Sequence, residues 1–276
     1  MTPNPTPFLR LRQICLVAQQ LEPVVDALCD VLGLQVCHRD AGVERFGLHN
    51  ALMRIGSSFI EVVAPLQGPR GENTAATRHL KRMGGDGGYM VILDTHAIAP
   101  WRTHAAALGI REASFHQVAG YSGLQLHPRD TGGTLLEINH SEGNRDLHGP
   151  YWPAGPHWQD APDSSACVAL RGAVLADGQA GVLAQHWAAL LRHPVSLAGE
   201  NGTQQVTLDN QSMLVFKSVP TQSRQGLTGL ALAVQGEKAV EGIVRRAQAR
   251  GLPFGAPANA EVEVEIGGVA WLLQSA

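Results

Sequence analysis

Glu61 and Glu137 are the residues of this chain whose setting most needs a chemical explanation. Each is a carboxylate inside an apolar run, Ile60-Glu61-Val62 and Leu136-Glu137-Ile138, and they lie 76 residues apart (137 − 61 = 76). An unpartnered carboxylate in a dry core costs several kcal/mol, so water, hydrogen-bond donors or a cation must meet each of them. A pair facing one cavity could exchange a proton with a substrate or hold a divalent cation that polarises substrate oxygens. The blander alternative is that both point to solvent from half-buried strands. Histidines could complete such a site. If the turn Gly56-Ser57-Ser58 keeps an even register, His49 shares a face with Glu61, and by the same reasoning His127 shares one with Glu137, whereas a slip of one residue turns both away. His116 lies on the second strand of the unit that carries Glu137, and His140 and His157 are weaker candidates. Arg54 and Arg129 flank the two hairpins, where they could meet an anionic substrate group or simply be solvated.

The elements that must position these residues repeat. Leu32-Gly33-Leu34 returns as Leu108-Gly109-Ile110, and Gly56-Ser57-Ser58-Phe59-Ile60-Glu61 returns as Gly132-Gly133-Thr134-Leu135-Leu136-Glu137, both at the same offset of 76. In the first unit an apolar run, 12–18, precedes a helix over 21–32 with apolar residues at helical spacing, Pro23 in its first turn and Gly33 at its end. Strands follow over 35–38, 51–55 and 59–63, giving β-α-β-β-β. Residues 89–139 repeat that order. A weaker pair of units follows from Cys167, in which Leu272 takes the place of Glu137 and an apolar residue near Val215 takes that of Glu61. The glycines at 84–88 read as a flexible joint. Neither they nor Gly132-Gly133 have the spacing of a phosphate-binding loop.

The expected fold class is therefore α+β, with four tandem βαβββ modules, two per domain. Each pair should form a cupped, barrel-like sheet with helices outside. The expected divisions are a tail over 1–7, a first domain over 8–145 with the site, a Trp/Pro/Gly-rich connection over 146–165, and a second domain over 166–276.

A formal net charge of −3 without any Lys/Arg-rich run offers no electrostatic footprint for nucleic acid or an anionic membrane. No apolar run approaches membrane-spanning length. The polar, proline-rich start reads as a frayed tail and not as a signal peptide. Cys15, Cys29, Cys37 and Cys167 have no CxxC pairing, which suits reduced thiols in a cytoplasmic protein.

The βαβββ repeat, and above all the run His127-Pro128-Arg129-Asp130-Thr131-Gly132-Gly133-Thr134-Leu135-Leu136-Glu137, resembles the vicinal oxygen chelate superfamily of glyoxalases, bleomycin-resistance proteins, extradiol dioxygenases and methylmalonyl-CoA epimerase, with the short motif most similar to the epimerases. The resemblance implies a divalent metal, Mg, Mn or Fe, held by residues on the first and last strands of each module. Position by position these are Gln13, Glu61, Tyr89 and Glu137, with His49 as a substitute ligand because Tyr89 stands where a histidine is expected. It further implies Glu61, Glu137 and Tyr89 as catalytic residues, and Arg54, His116 and His127 are expected at the substrate. Two activities follow as expectations: a metal-assisted lyase, isomerase or epimerase on a small oxygenated or acyl substrate, or metal-free binding of a drug or metabolite. Extradiol oxygenation fits less well, because two-domain enzymes of that group carry their site in the C-terminal half, which lacks such residues here. That half could instead serve as a pairing surface or lid, which predicts a homodimer.

Overall fold

The computed structural model describes residues 6–198, 202–255 and 262–276, so most of the expected tail, residues 1–5, lies outside the described residues. The first half runs β1 (Arg10–Val17), α1 (Leu21–Leu32), β2 (Val36–His38), β3 (Leu48–Ile55), β4 (Ser58–Pro65), α2 (Pro69–Glu72), α3 (Ala75–Met83), β5 (Gly87–Asp94), α4 (Ala99–Ala107), β6 (Glu112–Val118), β7 (Tyr121–Leu126) and β8 (Leu135–Ser141). The second half runs β9 (Cys167–Asp177), α5 (Ala180–Leu191), β10 (Val195–Ala198), β11 (Thr203–Thr207), β12 (Met213–Ser218), β13 (Gly226–Val234), α6 (Gly236–Ala249), β14 (Phe254–Gly255), β15 (Val262–Ile266) and β16 (Val269–Ser275).

Each half makes one eight-stranded mixed sheet with the same order, β2-β3-β4-β1-β5-β8-β7-β6 and β10-β11-β12-β9-β13-β16-β15-β14. That is the expected α+β fold of paired βαβββ modules. The sheets are not closed, however: the edge strands β2 and β6 do not pair, so the first sheet is an open cup and not a barrel.

Strand alternation sorts the residues of this cup. Ile14 and Leu16 of β1, Ile60 and Val62 of β4, Val91 and Leu93 of β5, and Leu136 and Ile138 of β8 point into the main core beneath the helices. Cys15, Val17, Val63, Met90, Ile92 and Leu135 face the other way. Because both faces of these central strands are covered, they read in the sequence as near-continuous apolar runs, and the polar residues that interrupt them mark the concave side.

The glycines at 84–88 correct one expectation. Gly87 and Gly88 are buried residues of β5, and Arg224 from the second half donates to the carbonyls of Gly85, Asp86 and Gly268. The segment is clamped and not a free hinge. A Cβ on Gly88 would clash with the Leu227 carbonyl of β13, which explains the glycine: here the central strands of the two sheets touch. Among the described residues no helix is long and apolar enough to cross a membrane, and all four cysteines are free.

Candidate functional site

The concave face of the first sheet encloses a cavity of about 870 Å³, and Glu61 and Glu137 both line it. They are buried, at 9% and 6% exposure. Each is met by neutral donors. The Gln13 amide nitrogen donates to Glu61 Oε2 at 2.8 Å and the Asn50 amide nitrogen to Glu61 Oε1 at 2.7 Å. Tyr121 donates its hydroxyl to Glu137 Oε1 at 2.9 Å, Gln125 its amide to Oε2 at 2.9 Å, and Asn139 its amide to Oε1 at 3.2 Å.

Tyr151, from the connection after β8, closes these two clusters into one chain. Its hydroxyl donates to Gln13 Oε1 at 3.0 Å and accepts from the Asn139 amide at 3.4 Å. Glu61, Gln13, Tyr151, Asn139 and Glu137 are therefore linked in sequence across both modules. Tyr151 is held there by stacking on Phe59, with ring centroids 4.8 Å apart, and Trp158 packs edge-on against the same Phe59 at 5.2 Å. The buried Arg12 guanidinium lies within cation–π reach of all three rings, at 5.0 Å from Tyr151. The connection thus plugs one end of the cup, while Trp152, stacked on Tyr121 at 4.7 Å, forms part of the cavity wall.

The other expected residues are distributed by strand register. The turn between β3 and β4 has two residues, Gly56 and Ser57, since Ile55 pairs with Ser58. Leu52 then lies opposite Glu61, and the even-numbered residues of β3 share its face. Asn50, and not His49, reaches the carboxylate, and His49 does not line the cavity. Arg54 shares the Glu61 face but spends its guanidinium on the connection, on the carbonyls of Gln159 and Ala161 and on Asp163, and also lies outside the cavity. His116 and His127 do line it. Ser114 bonds His116 Nε2 at 2.7 Å, while His127 caps the turn at Arg129. His140 bonds the Thr95 carbonyl and His157 pairs with Asp160, both away from the cavity.

Tyr89 lines the cavity for a reason that a fixed offset hides. The β1–β5 ladder steps from Cys15–Met90 to Leu16–Gly88, leaving Tyr89 as the extra residue of a β-bulge. Tyr89 and Met90 consequently both face the cavity. Burial holds the Tyr89 phenol well above its ordinary pKa, so it stays protonated. Its ring packs edge-on against His79 at 5.0 Å. Sequence reasoning missed His79, which sits on α3 and also lines the cavity; burial, aided by the Arg82 charge, lowers its pKa to about 4. It missed Asn50, Tyr121, Gln125 and Asn139 as well, whose only sequence signal is a polar residue breaking an otherwise apolar strand.

The donor set does not suit a divalent metal. Gln13 turns its NH₂ toward Glu61 because its oxygen is taken by Tyr151, whereas a cation would need that oxygen. At the bulge, Tyr89 and its neighbour Met90 offer a neutral phenol and a thioether, poor ligands for Mg, Mn or Fe. Among the described residues, no three His, Cys, Asp or Glu side chains are grouped closely enough to hold a metal ion. Both carboxylates instead have their acceptor oxygens occupied by amides and a hydroxyl. Burial is the largest influence on Glu61 and holds its carboxyl above the ordinary range, against the lowering effect of its Asn50 and Gln13 hydrogen bonds.

No family model and no curated protein matches the sequence. Solved structures do match. The Mn(II)-bound glyoxalase from Novosphingobium aromaticivorans aligns with a TM-score of 0.63 and 14% identity over 98% of this chain and 83% of its own. A mutant of 4-hydroxymandelate synthase from Streptomyces coelicolor aligns at 0.68 and 14% over 98% and 93%. A hypothetical protein from Staphylococcus aureus aligns at 0.64 and 10% over 97% and 100%. At these identities the likeness is one of fold, and it extends over both sheets.

Proposed function

This chain has the vicinal oxygen chelate fold, and on that premise we propose that the cavity of its first sheet binds a small organic molecule without a metal ion. The observation that carries the reading is the hydrogen-bonded chain from Glu61 through Gln13, Tyr151 and Asn139 to Glu137, which meets both carboxylates with neutral donors where a metal's ligand set would be expected. The volume suits a compact metabolite or drug-sized molecule, and the wall mixes apolar side chains such as Met90, Ile92 and Leu135 with a few convergent polar groups, the usual make-up of a small-molecule site. Elemental analysis after incubation with Mn(II) or Fe(II) and desalting, on protein purified without an affinity tag, is expected to find no stoichiometric metal. One equivalent that disappears in the Glu61→Gln/Glu137→Gln variant would overturn the metal-free reading.

A second reading keeps the same cavity and makes it an isomerase or epimerase. It is favoured by Glu61, whose raised pKa increases its protonated fraction toward neutral pH, as a general acid requires. Glu61 would then give a proton to one face of the bound molecule while Glu137 removes one from the other, with Asn50 and Gln125 orienting the two carboxyls. This reading predicts that a bound carbon acid is inverted in D₂O with uptake of deuterium and that Glu61→Gln stops the inversion, while Glu137 can still exchange the proton on its own face. Inversion unaffected by that substitution would remove Glu61 from the chemistry.

A further inference from the structure

The cavity has two chemically different ends. Its floor carries the two carboxylates, and its mouth carries arginines. Arg45, Arg78, Arg82 and Arg129 all line it, and all four are exposed. Seven other arginines of the described chain form ion pairs with Asp or Glu, but none of these four does. Arg78 donates only to the Asn73 carbonyl, Arg45 lies over the Phe46 ring at 4.7 Å, and Arg82 is spent on His79 and the Gly133 carbonyl. That last contact ties α3 to the turn that follows Arg129. Since Arg78 and Arg82 share a helix face, it gathers three guanidinium groups on one side of the mouth.

The acidic residues of the rim offset only part of this charge. Glu112 is paired with Arg102, which leaves Asp40, whose carboxylate accepts from the Gly42 amide, against four guanidinium groups. Next to the arginines stand large apolar side chains left in water, Phe46, Val118 and Trp152, each close to half exposed. Unpaired guanidinium groups beside exposed apolar side chains, at the entrance to an apolar-walled cavity, call for a molecule with an anionic head and an apolar body. The carboxylates on the floor repel an anion, so the body enters first and the acid stays at the rim.

Resting on the binding reading above, we propose that the ligand is an amphipathic organic acid. Its carboxylate or equivalent anionic group is held at the mouth by Arg78, Arg129 and Arg45, and its aryl or alkyl body is seated against Trp152, Phe46 and Leu135. Charge-assisted hydrogen bonds to a guanidinium fork supply the head-group affinity, and burial of the body supplies the rest.

The test is calorimetric titration, with tryptophan fluorescence in parallel, using benzoate, naphthoate and octanoate, each against its own primary amide. At least one acid should bind, with its isosteric amide weaker by about tenfold or more. Arg78→Glu/Arg129→Glu should abolish that preference while melting with the wild type. Arg245→Glu, on the far helix α6, should not alter it. An acid and its amide binding alike, or the double reversal acting no differently from Arg245→Glu, would overturn the anionic ligand while leaving the binding reading intact. Binding of none of the six compounds would overturn both.

Discussion

Gly88→Val is expected to cost about 3 kcal/mol of stability, a drop in Tm of roughly 5 °C in thermal unfolding. The cause is specific. A Cβ at this position would lie 2.6 Å from the Cβ of Leu227 and closer still to its carbonyl oxygen, and that oxygen belongs to the backbone of β13, which cannot rotate away as a side-chain tip could. Gly255→Val is the control. None of the described residues lies within 4 Å of a Cβ there and its φ is not positive, so its melting point should stay near the wild type's. Equal melting of the two variants would mean that the central strands of the sheets do not approach as described.

The second large effect is a loss of stability on acidification through His79. Burial of its ring, aided by the Arg82 guanidinium that faces Nδ1, outweighs the raising effect of the Gly88 carbonyl on Nε2–H, so the ring is kept neutral and its pKa is lowered from the ordinary 6.5 to about 4. A lowered folded-state value means that the unfolded chain binds the proton more readily. The stabilisation is thus complete above about pH 6.5 and drains away as the pH falls toward 4. This lowering corresponds to about 3 kcal/mol. Urea unfolding of the wild type at a series of pH values should show this slope, and His79→Gln should remove it. Glu61 acts in the opposite sense, because burial raises its pKa: its contribution falls as the pH rises above 4.5. The difference between wild type and His79→Gln isolates the histidine. Parallel curves would show that His79 titrates normally.

Much of the architecture was legible because it repeats. The offset that carries Gly56-Ser57-Ser58 onto Gly132-Gly133-Thr134 also carries Glu61 onto Glu137, and both carboxylates do line one cavity. What the offset could not carry was parity. Reading the first hairpin with Gly56-Ser57-Ser58 as its turn brings His49 beside Glu61. The actual turn is one residue shorter, which rotates Asn50 into that place. The bulge at Tyr89 breaks the offset locally in the same way. α3 was not foreseen, although it supplies His79, Arg78 and Arg82, because Ala75–Met83 is mostly polar and its apolar face is only Ala76 and Leu80. The neutral donors to the carboxylates were hidden for a different reason. A glutamine or asparagine in a strand looks the same whether it faces solvent or a glutamate, and only the pairing of β7 with β8 puts Gln125 opposite Glu137.

The tyrosine that joins the two carboxylate clusters has a consequence for how the site comes into being. Gln13 and Tyr151 are 138 positions apart in the chain, so the network cannot close until Tyr151 has left the ribosome. Contacts of such long range are costly to form early, because the intervening chain must first be gathered in. The cup can therefore acquire its strands while the clusters around Glu61 and Glu137 are still unlinked. Closure of the network across the pocket is timed by the arrival of the segment that follows β8.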